Sequence, residues 1–224
     1  HRSARDAQQR FDSELFDPDR WCGRSYAEHR EILADAVARE LGDAPGVEGG
    51  RVVLSCAFEG GGPETPRIDL LLALPRPKVL NRLWSQLAAL GVGRIVLVNA
   101  ARVERFYFDS HVLAPESYTA QLIEGLQQAR DTRLPQVLIR RRFRPFVEDE
   151  LDAATPESLR LVADPGGERR MADFLPPGRA TSRQRVLIAV GPEGGWVPFE
   201  LELLQRHGFQ VVGMGRRTLR TDTA

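Results

Sequence analysis

The 224-residue sequence has little of what several common classes of protein require. Its two cysteines, Cys22 and Cys56, are far apart and form no CxxC pair, which disfavours metal ligation by thiolates and fits a reducing cytoplasm. The four histidines are scattered singly, so we expect no metal site. No apolar run approaches the roughly 18 residues of a membrane span. The polar N-terminus lacks the apolar core of a signal peptide, and we expect a soluble, cytoplasmic protein.

Positive charge is carried almost entirely by arginine, since Lys78 is the only lysine. The formal net charge is zero, which argues against a uniformly basic surface for non-specific nucleic-acid binding. The arginines nevertheless form two clusters: Arg140, Arg141, Arg142 and Arg144, and then Arg216, Arg217 and Arg220. Two interpretations remain open, an RNA-facing stripe on a neutral body or ordinary solvated faces in an arginine-rich composition.

The first 66 residues differ in character from the rest. They are charged, with a predicted amphipathic helix at Tyr26–Leu41 and one predicted strand at Arg51–Phe58. The stretch from Gly60 to Pro63 has the composition of a linker. We therefore predict a small N-terminal domain, residues 1–66, followed by a larger domain, residues 67–224.

In the larger domain, short apolar runs alternate with amphipathic stretches. The apolar runs predict strands at Ile68–Leu74, Arg94–Val98, Gln136–Ile139, Leu159–Ala163, Val186–Val190 and Val211–Val212. The other stretches predict helices at Val79–Leu90, Pro115–Arg130 and Pro198–His207, with a short helical piece at Phe146–Leu151. Strands that are apolar throughout and separated by helices indicate an α/β fold with a mostly parallel sheet covered on both faces.

The sharpest local motif is VLIAVGPEGGW, Val186–Trp196, a buried strand that runs directly into a glycine-rich turn and then a helix. In an open parallel sheet, ligands bind beyond the carboxyl ends of the strands, where glycine lets the backbone approach them closely. The turn has neither the Lys-Ser/Thr of a phosphate-binding P-loop nor GxGxxG spacing. Taken alone it is weak evidence for a ligand site, because a turn of this kind also serves as a simple strand-to-helix connection.

A second motif, GMGRRTLRTDTA, closes the sequence from Gly213 to Ala224. A glycine-bounded strand end is followed by a segment that could start a helix, with Asp222 near its N-terminus. Capping of that helix by Thr221 or Asp222 would explain the segment without any further role.

Together the two motifs resemble the RsmE family, the 16S ribosomal RNA uridine N3 methyltransferases of the SPOUT superfamily. Two further segments match the family in the right order: LLALPRPKVLNRLWSQLAALGV, Leu71–Val92, and EGLQQARDTRLPQV, Glu124–Val137. The resemblance covers roughly residues 67 to 224.

The resemblance implies a SPOUT-type parallel sheet with a C-terminal trefoil knot, an exception to the rule against knotted chains. It implies a homodimer that binds S-adenosyl-L-methionine and acts on 16S ribosomal RNA or the 30S subunit. It also implies that a PUA-like RNA-binding barrel precedes the catalytic domain in each chain. The implied cofactor-binding residues are Leu74, Ala189, Gly191, Pro192, Gly194, Gly195, Met214, Gly215, Thr218 and Leu219.

The implied reaction also points to candidate catalytic residues. Uridine N3 carries a proton and becomes a good nucleophile only when that proton leaves, so the enzyme must position the base and supply a proton acceptor. Asp222 is the first candidate acceptor and Glu193 the second. Arg220 and Arg130 are the candidates to hold RNA phosphate or the uracil oxygens as negative charge develops.

The sequence departs from the family pattern at three places. Residues 1–66 are helix-prone with one good strand, so either the barrel is remodelled or loops of it are missing from this sequence. The family's TETA is TDTA here, and its Gln-Ser-Gly-Arg is Gln128–Asp131, which moves the arginine by one place. The alternatives are a non-catalytic RNA-binding protein of the same fold and a tRNA ribose 2′-O methyltransferase.

Overall fold

A computed structural model describes residues 66–156, 158–174, 184–215 and 219, together with the backbone of 47–48 and 51–52. The chain divides into two compact units, His1–Pro63 and Glu64–Ala224. In the first unit, strands β1 (Val47–Glu48) and β2 (Arg51–Val52) pair in antiparallel fashion. The predicted helix Tyr26–Leu41 and most of the predicted strand Arg51–Phe58 lie outside the described residues.

The second unit is built on a parallel sheet, and six strands of it fall in the described ranges. Their order is β5-β4-β3-β7-β6-β8. The bounds are β3 Ile68–Ala73, β4 Val92–Val98, β5 Gln136–Arg140, β6 Leu159–Ala163, β7 Val186–Val190 and β8 Gln210–Val212. The predicted α/β fold with a parallel sheet is therefore confirmed, and β3 and β7 lie at its centre.

Three longer helices connect these strands: α1 (Pro77–Ala89), α2 (Pro115–Ala129) and α3 (Pro198–Arg206). Each has a proline in its first turn, where the missing backbone N–H costs nothing. α1 is followed by Gly91 at φ +75°, a left-handed conformation that favours glycine. A shorter helical stretch follows β5, with Phe143–Pro145, a π-helical turn Phe146–Glu150, and Leu151–Ala154.

The helices cover both faces of the sheet. The β3-to-β4 and β4-to-β5 crossovers run towards one edge of the sheet, whereas the β5-to-β6 and β7-to-β8 crossovers run the other way. Because such crossovers are right-handed, α1 and α2 lie on one face, and α3 and the helical stretch after β5 lie on the other. The central strands are consequently apolar on both sides, and Leu71, Leu72 and Ala73 are all buried.

α1 and α2 pack at one very close crossing. A Cβ on Gly125 of α2 would lie 2.8 Å from the carbonyl carbon of Ser85 in α1, so only glycine allows this approach. Before the crossing, Trp84 packs against Tyr118 with ring centroids 5.2 Å apart, and Gln121 Nε2 donates to Asn81 Oδ1. Both helices connect parallel strands, so both run opposite to those strands and in the same direction as each other.

A buried ion pair ties together the amino-terminal ends of the two central strands. Asp69 on β3 is fully buried, and its two carboxylate oxygens accept from Arg185 Nη2 at 2.6 Å and Nε at 3.2 Å. Arg185 Nη1 also donates to the carbonyl of Pro66, and Arg94 Nη1 lies 4.0 Å from Asp69. This arrangement holds the start of β7 against the start of β3.

Candidate ligand-binding site at the carboxyl edge of the sheet

The carboxyl ends of the parallel strands bring the two glycine motifs to one edge of the sheet. β7 ends at Val190 and leads into Gly191, while β8 ends at Val212 and leads into Gly213. β6 lies between them, so the two ends are two strand positions, about 10 Å, apart. The two segments therefore flank the space beyond the end of β6.

A tight turn follows β7. The N–H of Gly195 donates to the carbonyl of Pro192 at 2.8 Å, and Gly195 takes φ +76°. A Cβ added at Gly195 would meet only the tip of the Arg102 side chain, at 3.9 Å. Glycine is thus required by the backbone angle, and the turn presents bare backbone to open space.

Arg102, on the loop after β4, holds this turn in place. Its Nη1 donates to the carbonyl of Gly194, and its side-chain stem packs against the Gly194 Cα. A Cβ at Gly194 would lie 2.9 Å from Arg102 Cδ. The guanidinium has further N–H donors, and the residue is exposed, so those donors face solvent beside the turn.

Glu200 joins the same two segments from inside the fold. The residue is buried, and its carboxylate accepts from the N–H of Ala101 at 2.7 Å and from the N–H of Val197 at 3.1 Å. The second bond caps the N-terminus of α3, and the first fixes the loop that carries Arg102.

Trp196 closes the turn against the core. Its indole is buried and packs on Phe143 with ring centroids 5.6 Å apart. A Cβ on Gly191 would lie 3.1–3.2 Å from three indole atoms, so the end of β7 fits against this ring because it carries no side chain.

The second motif is held by the loop that follows β6. The N–H of Asp164 donates to the carbonyl of Val212 at 3.1 Å, and the N–H of Gly213 donates to the carbonyl of Arg169 at 2.8 Å. A Cβ on Gly167 would lie 2.8 Å from the Val212 oxygen and closer still to Gly213 N, and a Cβ on Gly213 would overlap Gly167 O. Two glycines from distant parts of the sequence therefore make a direct backbone crossing.

The predicted cofactor-binding residues differ in how exposed they are at this edge. Leu74 and Ala189 belong to the core and are 1% and 0% exposed, so their side chains support the edge without lining it. Pro192 is also buried, whereas Gly191, Gly195, Met214 and Leu219 are half-buried and Gly194 and Gly215 are exposed. Gly215 takes φ +109° and has open space where a side chain would be. Thr218 lies outside the described residues.

The predicted catalytic residues are not all brought together. Glu193 lies in the turn after β7, with its side chain 39% exposed and Oε1 4.0 Å from Arg76 Nε. Arg130 caps the carboxyl end of α2 at φ +55°. Because α2 runs opposite to the strands, Arg130 lies at the other edge of the sheet, away from Glu193 in the same chain. Asp222 and Arg220 lie outside the described residues.

Three of the four arginines in the first cluster form ion pairs with nearby carboxylates. The pairs are Arg140 with Glu150 at 2.7 Å, Arg141 with Asp109 at 3.2 Å and Arg144 with Glu148 at 2.9 Å. The hydrogen bond and charge of Glu148 raise the pKa of the Arg144 guanidinium. Arg142 is exposed and has no ion pair with any other described residue. The cluster therefore carries much less free positive charge than its sequence suggests.

Sequence reasoning missed three residues of this edge: Arg102, Glu200 and Gly167. Glu200 had a signal, because a glutamate three residues after a helix N-cap commonly caps that helix. Arg102 is one arginine among many in a polar loop, and the close approach of Gly167 depends on a partner far away in the sequence.

No group of three or more histidine, cysteine or acidic side chains is placed to hold a metal ion in the described ranges. No helix within those ranges is long and apolar enough to cross a membrane.

The architecture defines a class of protein, an α/β domain with a site of glycine-bearing turns at the carboxyl edge of a parallel sheet. A family model described as an RNA methyltransferase domain matches residues 63–224. The chain belongs to this family.

Two relatives show which members of the family the chain is similar to. The chain is 37% identical over 161 residues to the ribosomal RNA small subunit methyltransferase E of Treponema pallidum, a match that covers 70% of this chain and 58% of the relative. It is 26% identical over 160 residues to the methyltransferase E 1 of Borreliella burgdorferi, covering 70% and 63%. The predicted resemblance to RsmE is confirmed, and the chain spans about 60% of the length of these two relatives.

A solved structure agrees with the sequence comparison. The ribosomal RNA small subunit methyltransferase E of Neisseria gonorrhoeae, bound to S-adenosyl methionine, superposes with a TM-score of 0.58 at 25% identity. The match covers 70% of this chain and 61% of that protein.

Proposed function

We propose that the chain is an S-adenosyl-L-methionine-dependent methyltransferase that modifies uridine N3 in 16S ribosomal RNA. The observation that carries the proposal is the pair of glycine segments, Gly191–Gly195 and Gly213–Gly215, at one edge of the sheet in a chain of the RNA methyltransferase domain family. The names of the RsmE relatives support the ribosomal RNA substrate.

The described residues fit the proposed cofactor. Gly195 and Gly215 both have positive φ and open space where side chains would otherwise stand, so a ligand can lie directly on the backbone. Met214, half-buried between Gly213 and Gly215, supplies apolar surface, and the motif continues into Thr218 and Leu219. The cofactor supplies an electrophilic methyl group, which needs only placement in line with the uridine nitrogen.

The residues of the chain have two tasks in this proposal. The first is to keep the turn after β7 rigid, which Arg102 and Glu200 do through their bonds to Gly194, Ala101 and Val197. The second is to accept the uridine N3 proton. Asp222 remains the first candidate acceptor, and Arg220 would stabilise the charge on the uracil oxygens.

Glu193 fits a supporting role better than that of a proton acceptor. It lies in the turn itself, with its side chain 39% exposed and its Oε1 4.0 Å from Arg76 Nε, so its carboxylate is placed to pair with Arg76 beside the turn. Arg130, at the opposite edge of the sheet, could act only in the site of a second copy. Its proposed role therefore requires the homodimer.

The remaining family features are part of the same proposal. They are a C-terminal trefoil knot, a PUA-like N-terminal RNA-binding domain in residues 1–66 before a catalytic domain in 67–224, and action in the cytoplasm. The crossing of Gly167 and Gly213 supports the knot, because it holds the chain after β8 directly against the loop after β6. The parts of the chain that would complete the threading, 175–183 and 216–224, lie largely outside the described residues.

Two measurements test the proposal. Calorimetry with S-adenosylmethionine should show binding to the wild-type chain and none to Gly195→Trp, because the indole would fill the space beside the turn. Methyl transfer to ribosomal RNA that lacks this one modification, followed by nucleoside mass spectrometry, should yield N3-methyluridine. A label on ribose or transfer to tRNA would contradict the substrate, and no binding by the wild-type chain would favour a non-catalytic RNA-binding protein.

A further inference from the structure

Phe106 is a large aromatic residue that remains in solvent, although the two aromatic residues after it, Tyr107 and Phe108, pack into or against the core. Its side chain is 65% exposed, while Phe108, two residues on, is 5% exposed and part of the core. Phe106 packs edge-to-face on Tyr107 with ring centroids 4.8 Å apart, and Tyr107 in turn packs against the core. The residues form a 3-10 turn, Arg105–Asp109. Phe106 is thus an exposed ring on a well-anchored turn.

The charge around this ring is positive and not fully neutralised. Arg105 precedes Phe106, is exposed, and forms no ion pair with another described residue. Arg141, just after β5, contacts the same turn. Its Nη2 donates to the Phe108 carbonyl at 2.8 Å, and its Nη1 pairs with Asp109. The next residue, Arg142, is exposed and has no carboxylate partner within the described ranges. Two exposed guanidinium groups that no described carboxylate neutralises therefore lie in this region, Arg105 next to Phe106 and Arg142 next to Arg141.

The same loop reaches the turn after β7. Arg102 donates to the carbonyl of Gly194, and Phe106 follows it by four residues, so their Cα atoms are at most about 14 Å apart. A nucleic acid that places one base at the turn could therefore place a nearby base on Phe106.

We propose that Phe106, Arg105 and Arg142 form a docking surface for single-stranded RNA, in which a base next to the target stacks on Phe106 and the two arginines contact phosphates. The proposal rests on the proposed function of the site and names the part of the surface that holds the substrate. Unpaired bases stack on exposed aromatic rings without sequence preference, and guanidinium groups bind phosphate through two parallel N–H donors. An exposed ring flanked by free positive charge suits this partner better than an apolar protein surface.

The test measures binding of a short fluorescein-labelled oligouridine to the full chain by fluorescence anisotropy at several salt concentrations. Phe106→Ala should weaken binding by about 5- to 100-fold with an unchanged salt dependence, because stacking carries no charge. Phe106→Tyr should restore the affinity. Arg105→Gln and Arg142→Gln should each reduce the slope of log affinity against log salt by about 0.7, the contribution of one phosphate contact on a single strand.

Matched controls lie at the opposite edge of the sheet. Leu90→Ala removes an apolar side chain that is 76% exposed just after α1, and Arg67→Gln removes an exposed arginine just before β3. Both should bind oligouridine like the wild-type chain. Equal losses in the controls and the test variants would overturn the proposal.

Two other outcomes would also be decisive. If Phe106→Ala shifts the oligomeric state in sedimentation and leaves RNA affinity unchanged, the ring belongs to an interface between copies and the proposal is wrong.

Calorimetry with S-adenosylmethionine on the same variants separates the two proposals. Cofactor binding with RNA affinity insensitive to Phe106, Arg105 and Arg142 overturns the docking surface alone, whereas Phe106-dependent RNA binding without cofactor binding supports the surface and refutes the methyltransferase.

Discussion

The crossing of Gly167 and Gly213 allows a sharp test by one added methyl group. In Gly167→Ala, the new Cβ would lie 2.8 Å from the Val212 oxygen and closer still to Gly213 N, whereas non-bonded heavy atoms prefer about 3.5 Å or more. Both neighbours are backbone atoms and cannot rotate away. The loop after β6 must therefore move by roughly 1 Å, which strains or breaks the bonds from Asp164 N and Gly213 N.

The expected cost follows from these contacts. Two backbone hydrogen bonds contribute about 1 kcal/mol each, and overpacking adds about 1–3 kcal/mol, so urea denaturation should show a loss of about 3–5 kcal/mol. The change should also weaken S-adenosylmethionine binding in calorimetry, because it displaces Gly213–Gly215. Gly166→Ala is the matched control, since its Cβ would meet only the side-chain oxygen of Asp164, at 3.1 Å. Equal stability of the two variants would refute the crossing.

Four further changes test the rest of the framework. Gly125→Ala should cost about 3 kcal/mol in urea denaturation, because its Cβ would overlap the backbone of α1; a wild-type midpoint would contradict the close crossing. Asp69→Ala should also cost about 3 kcal/mol by the same measurement, since it leaves Arg185 without its buried partner; a loss below 1 kcal/mol would show that the ion pair does not hold β3 to β7. Glu200→Ala should cost about 2–4 kcal/mol through two lost bonds to backbone N–H groups, and an unchanged stability would argue against them. Arg102→Ala should weaken S-adenosylmethionine binding about tenfold in calorimetry with little change in unfolding, so an unfolding loss as large as that of Glu200→Ala would assign it to stability instead.

The strands of the larger unit could be predicted because each one is a short, mostly apolar run, and β3 and β4 are largely buried. Ile68–Leu74 and Val186–Val190 show this pattern clearly, and both form strands at the centre of the sheet. Their adjacency could not be predicted by periodicity. It depends on β7 inserting between β3 and β6, and the ion pair of Asp69 and Arg185 that holds the two strand starts joins residues 116 positions apart.

The candidate site was predictable in part. Glycine motifs directly after predicted strands indicate the carboxyl edge of a parallel sheet, and the structure places the first motif and the start of the second, Gly213–Gly215, at that edge. Sequence patterns do not show which arginines are free. Arg140, Arg141 and Arg144 are as basic as Arg142, yet each has a carboxylate partner brought close by a helical turn or a loop. Free charge at this edge depends on those pairings and not on the number of arginines.

One loop connects the two proposals about this edge. The loop after β4 is anchored at Ala101 by Glu200, contacts the turn after β7 through Arg102, and continues into the exposed ring of Phe106. Because α3 begins directly after that turn and carries Glu200, the turn, the loop and the helix support one another. Loosening Glu200 should therefore weaken both cofactor binding and RNA binding, whereas Phe106→Ala should weaken RNA binding alone. This difference separates a residue that positions the site from one that contacts the substrate.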